Sequence, residues 1–273
     1  MVSKKVKRGK TAATRPVRKA TSGNTKLAQL EKAIARLDQR TQAGEDRAAV
    51  ENLFSQYMYL HNAFRDTEII DLWVKKGTPG VRAQYSNNGV YTNWETITFY
   101  HSNRPAPKGK LIVHYTTTPM IQVASDGKTA KGLWVVSGVE SGLTDPEIAK
   151  HTPEYLYDPG QVEGKRVWQH QVLVKYGVDF LKQDGKWKIW HFHCFEICRS
   201  PLKLGWIGFA AKAQNESFNS DLMYFGDDGK PVFMPKPDGP ATILTNSYRT
   251  DTSQSLDAIP PVPYRTFKET FEY

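Results

Sequence analysis

The sequence predicts an α+β fold in which helices come first and an antiparallel sheet comes after them. Two observations carry that prediction. Apolar residues recur at helical spacings of three and four as far as Trp73, and the period then drops to two. The later apolar segments are joined by hairpin signals, Asn88-Gly89 and Asp184-Gly185, and not by the helical crossovers that parallel strands need. With 273 residues the chain can bury a sizeable core. No apolar run approaches the roughly 20 residues that cross a bilayer.

The first segment is not expected to fold. Nine of the 37 Lys and Arg residues (Lys4, Lys5, Lys7, Arg8, Lys10, Arg15, Arg18, Lys19 and Lys26) fall in the first 26 positions, which hold no Asp or Glu. The other 28 bases face 28 acids, so the body is neutral. A basic stretch with few large apolar side chains cannot offset the entropy of ordering. Residues 1–25 are therefore predicted to be a disordered basic head, a solvated tail or at most a weak polyanion contact. No apolar segment succeeds the charges as in a secretory leader. Cys194 and Cys198, about 13 Å apart along a strand, exceed the roughly 7 Å that a disulfide bridges. Free thiols fit a reducing cytoplasm.

Residues 26–43 place Leu27, Leu30, Ile34 and Leu37 at spacings of three, four and three, one apolar stripe on a short amphipathic helix. Such a helix is expected to pack on the body or on a second subunit. Gly44 should interrupt it, and Glu45-Asp46 should open a second helix bearing Val50, Leu53, Phe54, Tyr57, His61 and Phe64, with acids where the dipole favours them. A third short helix runs from Asp66 to Trp73. Strands are expected at 111–123, 129–138, 166–181 and 186–197, and 140–165, with three prolines, as a lid or interface loop. Residues 44–200 thus form the domain. Residues 201–273 read as a Pro-rich tail that wraps the core or a neighbouring subunit, a Pro-rich recognition segment being the lesser alternative.

Residues 186–198, KWKIWHFHCFEIC, hold two histidines and two cysteines. By strict alternation Trp187, Ile189, His191, His193 and Phe195 share one face and Cys194 the other. A metal wants three or four ligands converging from one side. His191 and His193, with His114 or His170, could supply three; a pocket wall or satisfied buried histidines is the preferred reading, and no metal or other cofactor is expected. The Cys-x-x-x-Cys spacing is not that of thiol exchange.

The order YMYLHNAFRD, then LIVHYTTTPMIQVASDGKTAKGLWVV, then YGVDFLKQDGKWKIWHF resembles the SnoaL-like branch of the nuclear transport factor 2-like (NTF2-like) superfamily over residues 45–197. That branch includes polyketide cyclases, scytalone dehydratase and bile-acid 7α-dehydratase. The resemblance implies a cone of curved antiparallel sheet closed by N-terminal helices around an apolar cavity, and cofactor-free proton chemistry on ring compounds. It identifies His114 with the cavity histidine and Tyr57 with the helix tyrosine. Where dehydratase members carry an aspartate, this chain has Asn62, and an amide cannot take a proton as a carboxylate does. His61 or Asp179 would then supply the base, or the reaction differs.

The expected function is a cofactor-independent lyase on a hydrophobic, aromatic or polycyclic hydroxylated compound, assembled as a homo-oligomer with no membrane partner. His114 would be the principal acid/base, with Tyr57, Asn62, His61, Asp179 and His193 as further candidates. Tyr59, Tyr85, Tyr91, Trp94, Tyr115, Trp134, Trp168 and His191 would line the substrate site. Tyr57 and His61 read equally as packing residues with polar tips. Within the lyase reading, dehydration stands beside release of formaldehyde from a diarylpropane-type lignin fragment. A non-catalytic ligand-binding protein is the alternative of another class.

Overall fold

The computed structural model describes residues 22–102, 108–150, 152–212, 222–225, 231–233, 235–256 and 258–269. The basic head therefore lies almost wholly outside the described residues. The chain divides into two compact units, residues 1–42 and 43–273.

The helical front is simpler than expected. One helix, α1 (Ser22–Asn62), replaces the two predicted on either side of Gly44. Gly44 costs a helix interior only about 1 kcal/mol, too little to end a helix sustained on both sides. The first unit contributes the part of α1 up to Gln42, where residues 25–42 are exposed.

The second unit starts with the rest of α1 and continues with α2 (Asp66–Ile69) and a 3₁₀ turn (Ile70–Leu72). Next come β1 (Arg82–Tyr85), β2 (Val90–Tyr91), α3 (Trp94–Ser102), β3 (Leu111–Val123) and β4 (Thr129–Thr144). After α4 (Pro146–Ala149) and a second 3₁₀ turn (Glu154–Leu156) come β5 (Gln161–Val162), β6 (Lys165–Gln183), β7 (Lys186–Pro201) and α5 (Gly205–Lys212). A small hairpin of β8 (Leu222–Phe225) and β9 (Pro231–Phe233) precedes the tail. The main sheet runs β2-β1-β7-β6-β4-β3, with β5 beside β6. Every pairing is antiparallel except β1 with β7. The sheet is open rather than closed, and the supposed loop at 140–165 is shortened from both ends because β4 continues to Thr144 and β6 begins at Lys165.

The core lies where α1 crosses the sheet. Phe54 packs its ring 4.2 Å from that of Trp134, 5.6 Å from Tyr57, 5.9 Å from Tyr176 and 6.4 Å from Phe192. Burial of a side chain of this size stabilises the fold by about 1.5–3 kcal/mol. Asp46 fixes the approach of the helix by accepting from Lys182 Nζ at 2.6 Å and Trp187 Nε1 at 2.9 Å. Pro119 interrupts β3 only at a bulge between Thr117 and Met120, on an edge strand, where a missing N–H is tolerated.

Two bulges overturn the strict alternation predicted for β7. Asp179 pairs with His191 but Phe180 with Ile189, so Trp190 is an extra residue; Leu173 pairs with Cys198 but Val174 with Glu196, so Ile197 is another. Each extra residue reverses the facing of the residues after it. Trp187 and Ile189 consequently join the helix-side core with Phe192, with Cys194 packed against it. His191, His193 and Phe195 face the other side, where Phe195 packs with Leu133 and with Ala258 of the tail.

The tail is bonded to the sheet along much of its described length. Residues 238–248 run along β1, β2 and β7: Asp238 caps the start of α3 through the backbone N–H groups of Thr92 and Asn93, and Tyr248 N donates to Ile197 O at 2.6 Å. The buried Gln84 amide is satisfied by the tail, its Oε1 accepting from Thr242 N at 2.9 Å and its Nε2 donating to Ile243 O at 2.6 Å.

Candidate active site

The site begins at the end of α1. The Phe64 N–H bonds to His61 O and the Arg65 N–H to Leu60 O, closing the helix with Phe64 in the left-handed region at φ 56°. This is a Schellman ending, and it turns the chain back so that Asp66 meets the last turn. His61 Nδ1 lies 2.8 Å from Asp66 Oδ1, both buried, and His101 Nδ1 of α3 lies 3.8 Å from the same oxygen.

Asn62 grips the backbone of β3 at both atoms of one residue. Its Nδ2 donates to His114 O at 2.7 Å, and its Oδ1 accepts from His114 N at 2.9 Å. β3 is a sheet edge, and the amide completes its pairing as a neighbouring strand would. An aspartate could accept from the N–H but could not donate to the carbonyl. Asn62 therefore holds the backbone that carries His114.

The carboxylate that serves His114 comes from β4. His114 pairs with Gly138, and Glu140 is the next residue of β4 on the same face. His114 Nε2 lies 3.0 Å from Glu140 Oε1, and Arg199 donates to Glu140 Oε2 at 2.5 Å while its Nε lies 3.3 Å from Glu196. Burial pushes the Glu140 carboxyl up, but the Arg199 guanidinium and the His114 bond outweigh it and hold the group well below the usual carboxylate range. An ionised Glu140 only accepts, so Nε2, the ring nitrogen that faces it, is the one placed to donate. Both ring nitrogens are buried; Nε2 meets Glu140 at ion-pair distance, and Nδ1 has no hydrogen-bond partner among the described residues. The His114 ring sits 5.7 Å from that of His61, which sits 6.1 Å from Tyr57. Gly138 makes room for it, since a Cβ there would lie 2.3 Å from His114 Cδ2.

Of the predicted residues, the structure thus brings together His114, Tyr57, His61 and Asn62. Asp179, His191 and His193 lie apart from them. Asp179 Oδ2 and His191 Nδ1 are 2.8 Å apart across β6 and β7, with Lys131 Nζ 3.6 Å from Asp179 Oδ1 and the Phe267 ring 5.7 Å from His191. Burial, with Arg82 nearby, lowers His193 to about 3. Tyr59 and Tyr115 do not reach the cluster; they are 78% and 54% exposed. Tyr91 and Trp134 belong to the core and Tyr85 packs against it; the Tyr85 and Tyr91 rings are 6.0 Å apart, and Trp134 packs on Phe54 and Phe180. Trp94 edges a surface groove of about 610 Å³ that also includes Arg82 and Glu269 and not His114. Trp168 stacks near His170 at 5.2 Å. Among the described residues no three His, Cys, Asp or Glu side chains converge as a metal-holding group, and no helix is long and apolar enough to cross a membrane. Both cysteines are free.

Glu140, Arg199, Asp66 and His101 were absent from the predicted set. The signal for Glu140 was present, two residues beyond the glycine opposite His114, but the strand was expected to end at 138.

No curated protein matches the chain. Many solved structures resemble it distantly, these three among them. A hexachlorocyclohexane dehydrochlorinase, LinA type 2, is 16% identical, covering 60% of this chain and 93% of that one at a TM-score of 0.44. LinA type 3 from Novosphingobium barchaimii LL02 is 16% identical, covering 60% and 94% at 0.41. An NTF2-like protein with a cystatin-like fold from Novosphingobium aromaticivorans is 14% identical, covering 59% and 87% at 0.39. The model of the SnoaL-like domain matches residues 42–193, more than half the chain and all of the cluster except Arg199; the chain belongs to the SnoaL-like domain family.

Proposed function

We propose that the protein is a cofactor-independent lyase that removes a small group from a hydrophobic, hydroxylated aromatic or polycyclic compound, with His114 as the base. The observation that supports this most is the surroundings of one ring: His114 has an anionic carboxylate 3.0 Å from Nε2 and a buried Nδ1 with no hydrogen-bond partner among the described residues. In the elimination, Nδ1 takes a proton from a carbon next to the one bearing the leaving hydroxyl. The C–H electron pair becomes the double bond, and hydroxide departs. The imidazolium, stabilised by Glu140, returns the proton to the hydroxide as water, so that His114 ends neutral. Arg199 keeps Glu140 ionised throughout, and Tyr57 and His61 are the nearest rings to a bound substrate.

The test is incubation of the purified chain with aryl β-hydroxy ketones and, separately, diarylpropane diols. Absorbance of the new conjugated alkene reports loss of water, and a colorimetric aldehyde assay reports loss of formaldehyde. Removal of a general acid/base should lower the rate about 10²–10⁴-fold in His114→Ala. Turnover that survives in a folded His114→Ala protein would sink the mechanism. Tight binding of these compounds without turnover would favour the non-catalytic ligand-binding alternative.

A further inference from the structure

The first unit of the chain carries a feature that the catalytic proposal does not use. Leu27, Leu30, Ile34 and Leu37 are 56%, 61%, 57% and 59% exposed, although they lie in one stripe on α1. Their spacing is that of alternating a and d positions of a heptad, with Leu27 and Ile34 at a and Leu30 and Leu37 at d. A stripe of large apolar side chains left in water calls for a partner.

The flanking charges say which partner. In this register the g positions are Lys26, Ala33 and Arg40, and the e positions are Glu31, Asp38 and Glu45. In a parallel pair of helices, a g residue faces the e residue five positions on in the other chain. Lys26 would meet Glu31, and Arg40 would meet Glu45. In an antiparallel pair g faces g and e faces e, which sets base against base and acid against acid. Isoleucine at a with leucine at d also favours two strands. A membrane surface fits less well, because the polar side mixes Glu31 and Asp38 with Lys32 and Arg36 instead of presenting bases alone. The seam stops at Thr41 and Gly44, the next a and d positions, just before Asp46 and Val50, the first buried residues of α1.

We propose that two copies of the chain associate through a parallel two-stranded coiled coil of residues 26–40. Four apolar layers make a short seam, so the association is concentration-dependent. Sedimentation velocity on the full chain, from about 1 to 100 μM, spans the affinities expected of so small an interface. The expected result is a monomer–dimer equilibrium that Leu30→Glu with Ile34→Glu weakens by about 100-fold or more, with the near-ultraviolet circular dichroism of the body unchanged. Lys26→Glu with Arg40→Glu sets acid against acid across a parallel seam, so this chain should self-associate more weakly than wild type. Adding Glu31→Lys and Glu45→Lys to it exchanges the two signs and restores the attraction, so the fourfold variant should recover the wild-type affinity. In an antiparallel pair like charges would meet in all three chains, and the affinity would not track these changes. A chain that stays monomeric overturns the proposal. So does a dimer indifferent to Leu30→Glu with Ile34→Glu, an affinity that fails to fall and recover through the charge series, or association of this segment only with anionic phosphatidylglycerol vesicles.

Discussion

Asn62→Asp exchanges one side-chain amine for an oxygen and separates two accounts of the site. The resemblance to dehydratases implies an aspartate here, and on that account the change would supply His114 with a second carboxylate beside Glu140. The geometry says otherwise, because Nδ2 donates to His114 O at 2.7 Å and a carboxylate cannot. The lost bond is worth about 1 kcal/mol, and the carbonyl left facing a desolvated anion adds about 1–3 kcal/mol. A total of about 2–4 kcal/mol lowers the melting temperature of a domain this size by roughly 5–15 °C. A protonated aspartic acid can still donate, so the variant's folded state holds this proton more tightly than its unfolded chain does. Its folded pKa is raised; the stability is fullest below the unfolded value of about 3.9 and falls as pH rises through the folded one. Melting curves for both proteins between pH 4 and pH 7 should therefore show a gap that widens toward neutrality. An Asn62→Asp protein as stable as wild type at pH 7, and faster on any substrate, would refute the positioning role of Asn62 and the partnership of His114 with Glu140.

Three further outcomes are expected. Glu140→Gln should lower turnover by about 10²-fold or more and cost about 1–3 kcal/mol, discounted because Arg199 is partly solvated and keeps Glu196. Since the folded Glu140 carboxyl is depressed, that stability gap should be full above the unfolded value of about 4.3 and close as pH falls through the folded one; a gap constant with pH would contradict the ionised state. In Gly138→Ala the new Cβ would meet Val113 O at 2.4 Å as well as the His114 ring, so melting should drop by about 1–3 kcal/mol in free energy and turnover with it; unchanged behaviour in both would show that the ring is not tightly seated. Gln84→Ala should strand the Thr242 N–H and the Ile243 carbonyl, cost about 1–3 kcal/mol and admit protease to the tail, whereas a tail equally resistant to limited proteolysis would show that it is held elsewhere.

The sheet was legible in the sequence because its strands carry their own local signals. Residues 111–123 become β3 with the expected bounds, broken only by the bulge at Pro119, and Asp184-Gly185 makes the β6–β7 turn, with both residues at positive φ. What failed was what depends on pairing. Nothing local marks Trp190 or Ile197 as extra residues; they become bulges only against the register of β6, and they decide which face His191, His193 and Arg199 take. Glu140 was missed for a related reason, since β4 outruns its strongly apolar stretch and its last residues are held by β3 and β6 on either side. Gly44 was misread because a local propensity was weighed without the length of helix around it. His114, Tyr57 and Asn62 were legible through family resemblance, but the role of Asn62 depends on the backbone of a strand some fifty residues away, and sequence spacing holds no trace of it.

The two buried histidine–carboxylate pairs look alike in chemistry and differ in what surrounds them. His191 is stacked under Trp190 with ring centroids 4.1 Å apart and covered by Phe267 of the tail, and a lysine offsets the charge of its carboxylate. These covering groups come from the same chain, although Asp179 Oδ1 is left without a hydrogen bond among the described residues. His114 has a carboxylate of the same kind, held anionic by an arginine, yet its second nitrogen meets no hydrogen-bonding atom of the described residues. A buried polar atom without a partner costs about 1–3 kcal/mol, a cost that packing alone gives no reason to keep. The pair covered by the tail is best read as a clasp between the sheet and that tail; in the other pair the unmet atom is a ring nitrogen, a group able to exchange a proton with a ligand.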